Sequence, residues 1–252
     1  MCTSEPGHWP EGARRTGRDV EITARDGTTI PLHVCHPEGE GPWPTVLIVH
    51  DYFDPEHFYH ELACRYAGAG YLGVVPSLFH RHPKLAEQTH AAAGERILAV
   101  TDQEVLDDVD AVIEHLEQNH LASGLAVSGF CWGGRMAYVV AARHPEVRLL
   151  LPFYGHFAAW SGPDGPKPYS PLEEAGKISA RVLGFYGGAD PSIPVEGVRE
   201  MERKLREHGL QADLKVVEGA PHSFFRMKEH AAESEAAWAE VLAALGETLA
   251  PA

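Results

Sequence analysis

The sequence contains no long apolar run. Its longest apolar stretches fall well short of the ~20 residues that a membrane-spanning helix requires. Residues 1–17 are polar and rich in glycine and proline, without the apolar segment of a signal peptide. These absences predict a soluble, cytoplasmic protein with a flexible N-terminal extension at residues 1–17.

Cysteine is also scarce. The four cysteines are Cys2, Cys35, Cys64 and Cys131, and no two of them form a C-x-x-C pair. That spacing argues against a zinc knuckle and against a thioredoxin-type redox site. Scattered cysteines in a chain of this length are typical of reduced thiols in the cytosol, so we expect no disulfide.

Basic residues are few, since 21 Lys and Arg stand against 36 Asp and Glu, for a net charge of −15 with His neutral. Nucleic acids and anionic membranes are bound by clustered Lys and Arg, so we expect neither as a partner. The excess of acidic residues is interpreted as a solubility charge. It does not forbid an anionic small molecule, because one well-placed arginine can outweigh a distant field.

The 16 histidines suggest a metal hypothesis. His80 and His82 are two residues apart and His50 lies near a predicted strand end, but no H-E-x-x-H or similar ligand spacing occurs. We therefore expect no metal site and no cofactor. The sequence specifies no oligomeric state.

Predicted strands and helices alternate along the chain without internal repeats, which is typical of an α/β protein with a mostly parallel sheet. A hairpin is predicted around the turn Arg25-Asp26-Gly27, and residues 77–94 are expected to form a loop with a short helix. Because the Pro- and Gly-rich segments look like loops rather than linkers, we predict a single domain over residues 1–252. The other predicted strands are 45–50, 71–76, 121–128, 148–154, 181–186 and 212–217, and the principal helices are 56–69, 101–119, 132–143, 193–208 and 231–249.

Residues 129–133 read Gly-Phe-Cys-Trp-Gly and lie between a predicted strand and a predicted helix. This is the G-x-S-x-G nucleophile pattern with cysteine in place of serine. Gly129 and Gly133 remove side chains that would clash across the tight turn, and the helix N-terminus favours a thiolate. The pattern predicts Cys131 as a nucleophile, whereas a lone buried cysteine is usually a small apolar side chain. Cys2, Cys35 and Cys64 lack this context.

An acid and a base are expected on loops after later strands. Asp190 follows the strand 181–186 by a short Gly-Gly-Ala turn, and it is the predicted acid, although a turn or helix-cap role is common for aspartate at such positions. His222 lies on the turn after the strand 212–217, and it is the predicted base, although surface-loop histidines are common. His230 lies at the start of the terminal helix and fits less well. The order nucleophile, acid, base matches that of α/β-hydrolases.

With these motifs the chain resembles the dienelactone hydrolase family from about Val20 to Leu249. The matching segments are Gly-Phe-Cys-Trp-Gly-Gly at 129–134, Gly-Gly-Ala-Asp at 187–190 and Gly-Ala-Pro-His-Ser-Phe at 219–224. The resemblance implies an α/β-hydrolase fold with no large lid domain. It also implies that Cys131, Asp190 and His222 are the catalytic residues.

The resemblance also implies substrate-binding residues. Where members that cleave dienelactones have a glutamate near the resting thiol, this chain has Asp51. Arg226 stands at the position of an arginine that binds the substrate carboxylate, although a solvated surface arginine is equally consistent with the sequence. A second carboxylate-binding residue is not fixed by the pattern, and the candidates are Arg81, Arg96 and His90.

Together these features predict a hydrolase that cleaves an ester or lactone of a small, possibly carboxylated substrate through a cysteine acyl-enzyme. The backbone N–H groups of Trp132 and Tyr52 are the predicted oxyanion hole. The alternative is a non-hydrolytic small-molecule-binding protein or an isomerase on the same fold. It is motivated by Asp51 in place of glutamate and by the unplaced second arginine.

Overall fold

The structure, a computed structural model, describes residues 17–55, 57–119 and 121–249. Apart from Gly17, the predicted N-terminal extension lies outside these residues. The predicted hairpin is confirmed: strands β1 (Arg18–Thr23) and β2 (Thr29–Cys35) pair antiparallel with Thr23 opposite Thr29. The single-domain assignment over the whole chain stays a prediction.

The strands form one eight-stranded sheet in the order β1-β2-β4-β3-β5-β6-β7-β8. β2 pairs antiparallel with β4, and every pair from β4 to β8 along this order is parallel. The predicted mostly parallel sheet is therefore confirmed. The remaining strands are β3 (Trp43–Val49), β4 (Leu72–Pro76), β5 (Ala122–Phe130), β6 (Val147–Phe153), β7 (Arg181–Gly187) and β8 (Ala212–Val217).

Helices flank the sheet, and the five predicted principal helices are all present within a few residues of their expected bounds. None of the helices in the described part of the chain is long and apolar enough to cross a membrane. The helices are α1 (Phe58–Gly68), α2 (His90–Ala99), α3 (Asp102–Gln118), α4 (Trp132–Ala141), α5 (Pro171–Glu174), α6 (Val195–Glu207) and α7 (Ala231–Thr248).

The central strands are apolar because they are covered on both faces, as expected for parallel strands between helices. In β3, every residue from Pro44 to Val49 is buried, and β5 is buried from Leu125 to its end. α1 packs against α7 through Tyr66 and Trp238, whose ring centroids are 4.9 Å apart. This continuous core gives the loops at the strand ends a rigid base.

Cys35 and Cys64 form a disulfide with their Cα atoms 5.0 Å apart. The prediction that these thiols are reduced and serve only as small apolar side chains was therefore wrong. The bond joins the end of β2 to α1 through two residues that are 29 positions apart in the chain. Of the cysteines in the described residues, only Cys131 is a thiol, and it is buried.

Residues 77–94 were predicted as a loop with a short helix, and the structure places the loop at 77–89 and starts the ten-residue helix α2 at His90. The side chain of Thr89 accepts a hydrogen bond from the backbone N–H of Ala92 and so caps this helix. α2 carries His90 and Arg96 towards the loop that follows β3.

Candidate active site

The predicted functional residues all follow the carboxyl ends of parallel strands. Because β3, β5, β6, β7 and β8 are neighbours and run in one direction, their ends meet at one edge of the sheet, where ligands bind in open α/β folds. The structure places Asp51 and Tyr52 after β3, Cys131 and Trp132 after β5, Asp190 after β7, and His222 and Arg226 after β8.

Cys131 lies on a strained turn between β5 and α4. Its backbone has φ 56° and ψ −114°, a conformation that residues with a side chain rarely adopt. A Cβ atom on Gly129 would lie 2.1 Å from the carbonyl oxygen of Gly133, and one on Gly133 would lie 2.2 Å from that of His50. Both positions therefore require glycine, as the motif predicted.

The same close approach positions the predicted oxyanion donors. Since Gly133 lies against the backbone of His50, the first turn of α4 contacts the segment that continues into Tyr52. Trp132 is the first helical residue of α4, so its backbone N–H has no acceptor within the helix. The geometry is consistent with an oxyanion hole at this point, and the role of the two N–H groups stays a prediction.

His222 and Asp190 are brought together by the loops after β8 and β7. Nδ1 of His222 lies 2.5 Å from Oδ2 of Asp190, and both side chains are buried. The backbone N–H and the hydroxyl of Ser192 donate to the other oxygen, Oδ1, at 2.8 and 2.6 Å. Burial alone raises the pKa of Asp190, but the hydrogen bonds from His222 and Ser192 outweigh it and lower the pKa to about 2. Asp190 is therefore ionised at neutral pH and orients the imidazole.

The end of β6 lies against both the cysteine and the histidine. The backbone N–H of Cys131 donates to the carbonyl oxygen of Phe153 at 3.0 Å. The next residue, Tyr154, has its ring centroid 5.0 Å from that of His222 and a positive φ of 41°. The end of β6 thus connects the strand-to-helix turn at Cys131, the nucleophile elbow, to the loop after β8 that carries His222.

Asp51 and Arg226 form a buried ion pair, although they are 175 residues apart. Nη1 of Arg226 donates to Oδ2 of Asp51 at 2.7 Å, and the N–H of Phe53 donates to Oδ1 at 2.9 Å. The guanidinium stacks over the ring of Phe58 at 4.5 Å, and the Asp51 backbone N–H donates to the hydroxyl of Tyr59 at 3.0 Å. Burial raises the pKa of Asp51, and the positive charge of Arg226 offsets only part of this rise.

The three candidates for a second carboxylate-binding residue differ in placement. Arg81 is held by Asp108 and by Asp26 of the hairpin turn. Arg96 and His90 lie beside the loop after β3, where both contact Tyr52: Nη2 of Arg96 donates to the Tyr52 carbonyl at 3.1 Å, and His90 hydrogen-bonds the Tyr52 hydroxyl.

Arg96 also forms an ion pair with Asp54 at 2.6 Å. The positive charges of Arg96 and Arg226 near the site are thus each matched by a carboxylate.

Sequence reasoning missed the contribution of β6. Tyr154 and His156 follow that strand directly, at the same sheet edge as the predicted residues, and the ring of His156 lies 6.3 Å from that of His222. Their position after a parallel strand was the available signal, but neither residue belongs to a motif that suggests chemistry.

The sheet order, the nucleophile elbow and the acid–base pair on later loops define the fold of an α/β-hydrolase. Residues 30–250 match the model of the dienelactone hydrolase family, and the chain belongs to that family. The resemblance found in the sequence is therefore confirmed. Family membership makes the protein an ester or lactone hydrolase.

Named relatives agree with this assignment. A Salmonella typhimurium LT2 protein named "Putative carboxymethylenebutenolidase" is 31% identical over 242 residues, covering 93% of this chain and 88% of that protein. A Bradyrhizobium protein named "Probable 2-oxo-3-(5-oxofuran-2-ylidene)propanoate lactonase" is 29% identical over 226 residues, covering 86% of this chain and 89% of that protein. The crystal structure titled "Putative Dienelactone Hydrolase" from Klebsiella pneumoniae superposes with a TM-score of 0.80 at 28% identity, covering 91% of this chain and 98% of that chain.

Proposed function

We propose that the protein hydrolyses a small ester or lactone through a covalent acyl-enzyme on Cys131. The observation that carries this proposal is the buried hydrogen bond between His222 and Asp190, on loops adjoining a cysteine at a strained strand-to-helix turn. A nucleophile, a base and a group that orients the base are the parts that acyl transfer requires.

In the first step His222 takes the thiol proton as the sulfur of Cys131 attacks the carbonyl carbon. Asp190 accepts the hydrogen bond from Nδ1–H, which leaves the other ring nitrogen, Nε2, as the base. The oxyanion that forms is stabilised by the N–H groups of Trp132 and Tyr52, and one such donor is typically worth about 10²–10³ in rate. The C–O bond then breaks, and the departing oxygen takes the proton from the His222 imidazolium.

In the second step water attacks the thioester. His222 accepts a proton from the water, and the tetrahedral intermediate collapses to the carboxylic acid while the sulfur leaves as thiolate and is reprotonated by His222. Because a thiolate is a better leaving group than hydroxide, the intermediate expels the sulfur rather than the incoming oxygen. Asp190, whose pKa of about 2 keeps it ionised, supports the imidazolium in both steps.

The charge balance of the site supports an uncharged substrate. Asp51 neutralises Arg226, and Asp54 neutralises Arg96, in a chain whose net charge is −15. A carboxylated substrate would have to share a guanidinium with a buried carboxylate that already holds it. We therefore propose that the preferred ester or lactone carries no carboxylate, and that the buried ion pair holds the loop of Tyr52 in position.

The test of the nucleophile compares wild type with Cys131→Ala on an activated aryl ester and an enol-lactone. We expect kcat to fall by about 10³-fold or more, because the covalent route is lost. Intact-protein mass spectrometry after rapid acid quench should show wild type carrying the acyl group of the ester, and Cys131→Ala carrying none.

Cys2→Ala serves as a control, since it removes a cysteine that the mechanism does not use. Full hydrolysis by Cys131→Ala would overturn the proposal. Lactone binding by wild type without release of hydroxy acid would instead favour the alternative of a binding protein or isomerase, which family membership does not support.

A further inference from the structure

His156 lies in the catalytic site, although no motif includes it. It is in the segment between β6 and α5, and its ring centroid is 6.3 Å from that of His222 at an interplanar angle of 36°. The ring of Trp160 approaches His156 edge-on, with centroids 5.8 Å apart. The two side chains form a wall beside the proposed base.

Within the described residues, the ring nitrogens of His156 and Trp160 are not used in hydrogen bonds of the fold. His156 is half-buried, and within the described residues its ring nitrogens make no hydrogen bond. Trp160 is 41% exposed, one of only two large apolar side chains with such exposure among the described residues. The Arg135 guanidinium lies 5.6 Å from the centre of the Trp160 ring, and the indole remains partly exposed. A half-buried imidazole with free ring nitrogens, beside a partly exposed indole, can contact a substrate.

The charged groups facing His156 are His222, Asp190 and Arg135. Burial lowers the pKa of His156, the neighbouring His222 and Arg135 lower it further, and Asp190 acts in the opposite direction. His156 is therefore neutral at physiological pH, with one N–H donor and one acceptor nitrogen. A neutral ring adds no repulsion when the adjacent His222 becomes an imidazolium.

The segment that carries His156 and Trp160 is held against α4, the helix that follows Cys131. Arg135, on the first turn of α4, is fully buried and binds both carboxylate oxygens of Asp102 at 2.7 Å. The same guanidinium donates to the backbone carbonyls of Ala158 at 3.2 Å and Tyr169 at 2.6 Å, which lie on either side of Trp160 in the chain. A side chain held on a supported segment can select substrates by geometry.

We propose that His156 and Trp160 form the leaving-group subsite, which binds a flat aryl or enol group on the alcohol side of the ester. This inference rests on the proposed function. The departing oxygen must reach the nitrogen of His222 that carries the thiol proton, so the group attached to that oxygen passes the rings beside His222, of which His156 is one. His156 donates a hydrogen bond to the departing oxygen, and Trp160 stacks on the flat group.

The test uses His156→Phe, which keeps a ring and removes the N–H. The substrates are ethyl, phenyl and 4-nitrophenyl acetate, which share one acyl-enzyme, and kcat/KM reports the step in which the alcohol leaves. We expect kcat/KM to fall about tenfold for ethyl and phenyl acetate, and clearly less for 4-nitrophenyl acetate, whose oxygen departs without help from a hydrogen bond. The preference between acetate and butyrate of one alcohol should not change.

Trp160→Leu tests stacking, and we expect it to reduce the preference for phenyl over ethyl acetate. His208→Phe, at an exposed histidine after α6, is the matched control and should behave as wild type. His156→Asn, which keeps a donor in a smaller side chain, should restore part of the loss if the hydrogen bond matters. Thermal unfolding identifies any variant that is misfolded.

Equal losses by His156→Phe on all three acetates, or a changed acyl preference, would overturn the subsite. That failure is distinct from failure of the proposed function, which Cys131→Ala decides. An inactive Cys131→Ala together with an unchanged leaving-group dependence in His156→Phe would leave the cysteine mechanism standing and remove only the subsite.

Discussion

At the scale of single residues, the ion pair of Asp51 and Arg226 determines the net charge of the candidate site. Their buried ion pair adds no net charge, and removing one partner leaves the other charge uncompensated. Asn has nearly the shape of Asp but only one acceptor oxygen, so Asp51→Asn can keep the hydrogen bond from Phe53 while it gives up the one from Arg226, and the site gains one positive charge. This substitution therefore tests what kind of substrate the site accepts.

We expect wild type to prefer an enol-lactone methyl ester over the corresponding free carboxylate. Asp51→Asn should raise the kcat/KM ratio of carboxylated to neutral lactone by about tenfold or more, since a unit charge near 4 Å is worth on the order of 1–4 kcal/mol near a protein surface. Steady-state kinetics with the two lactones measures the ratio.

Asp213→Asn makes the same change of charge on an exposed side chain of β8, and it should leave the ratio unchanged. A wild-type preference for the carboxylated lactone, with no increase in Asp51→Asn, would show that Arg226 already binds a substrate carboxylate in the presence of Asp51.

At the scale of elements, α1 is fastened to β2 by two pairs of side chains. The Cys35–Cys64 disulfide is one, and the stacked rings of His33 and His60, with centroids 3.8 Å apart, are the other. Alternate residues of a strand share a face, as do residues four apart on a helix, so the two pairs lie side by side. α1 also carries Phe58, on which Arg226 stacks, so α1 connects β2 to the candidate active site.

Cys35→Ala/Cys64→Ala should lower the free energy of unfolding by about 3.5 kcal/mol, the value expected for a disulfide that closes a loop of this size. Urea unfolding of wild type in dithiothreitol should show a similar loss, whereas the double variant should not respond to the reductant. Cys131→Ala, which leaves the disulfide intact, is the control for loss of a buried cysteine.

Alkylation of all four thiols in unfolded, unreduced wild type would contradict the disulfide.

Sequence reasoning succeeded where the signal is local. The turn around Cys131 needs glycine on both sides within a few residues, and β3 is a continuous apolar run, so both could be predicted. It failed where partners are distant or the pattern is weak. Nothing near Cys35 indicates Cys64, and nothing near Asp51 indicates Arg226. α2 was expected only as a short helix within a loop because it contains Gly94 and few buried apolar positions. Thr89, a residue type that favours helix N-caps, was a sequence signal for its start.

At the scale of the whole molecule, we expect a buried histidine to lower the stability of the protein in acid. His50 is fully buried after β3; its Nδ1 lies 2.7 Å from the carbonyl oxygen of Asp51, and its Nε2 accepts the N–H of Leu78 at 3.2 Å. The Nδ1–H tautomer satisfies both contacts, and a proton on Nε2 would oppose the Leu78 donor. Burial lowers the pKa of His50 from 6.5 to about 4, with Arg96 acting in the same direction and the Asp51 carbonyl against it.

Because the folded-state pKa is depressed, the unfolded chain takes up this proton first as the pH falls. The stabilisation is complete above pH 6.5 and is lost as the pH approaches 4. Between about pH 7.5 and about pH 5, His50 should lower the free energy of unfolding by about 2 kcal/mol, and His60, whose pKa burial also lowers to about 4, acts in the same direction. Urea unfolding at the two pH values measures the loss.

His50→Gln separates this contribution from the rest of the molecule. Its amide can donate to the Asp51 carbonyl or accept from the Leu78 N–H, but it cannot be protonated. We expect a variant that is less stable than wild type near pH 7.5, since one of the two hydrogen bonds is lost, with a difference that shrinks or reverses near pH 5. His208→Gln changes an exposed histidine and should keep the wild-type slope. If His50→Gln also keeps that slope, the acid sensitivity belongs to other groups, and the neutral state of His50 contributes nothing to it.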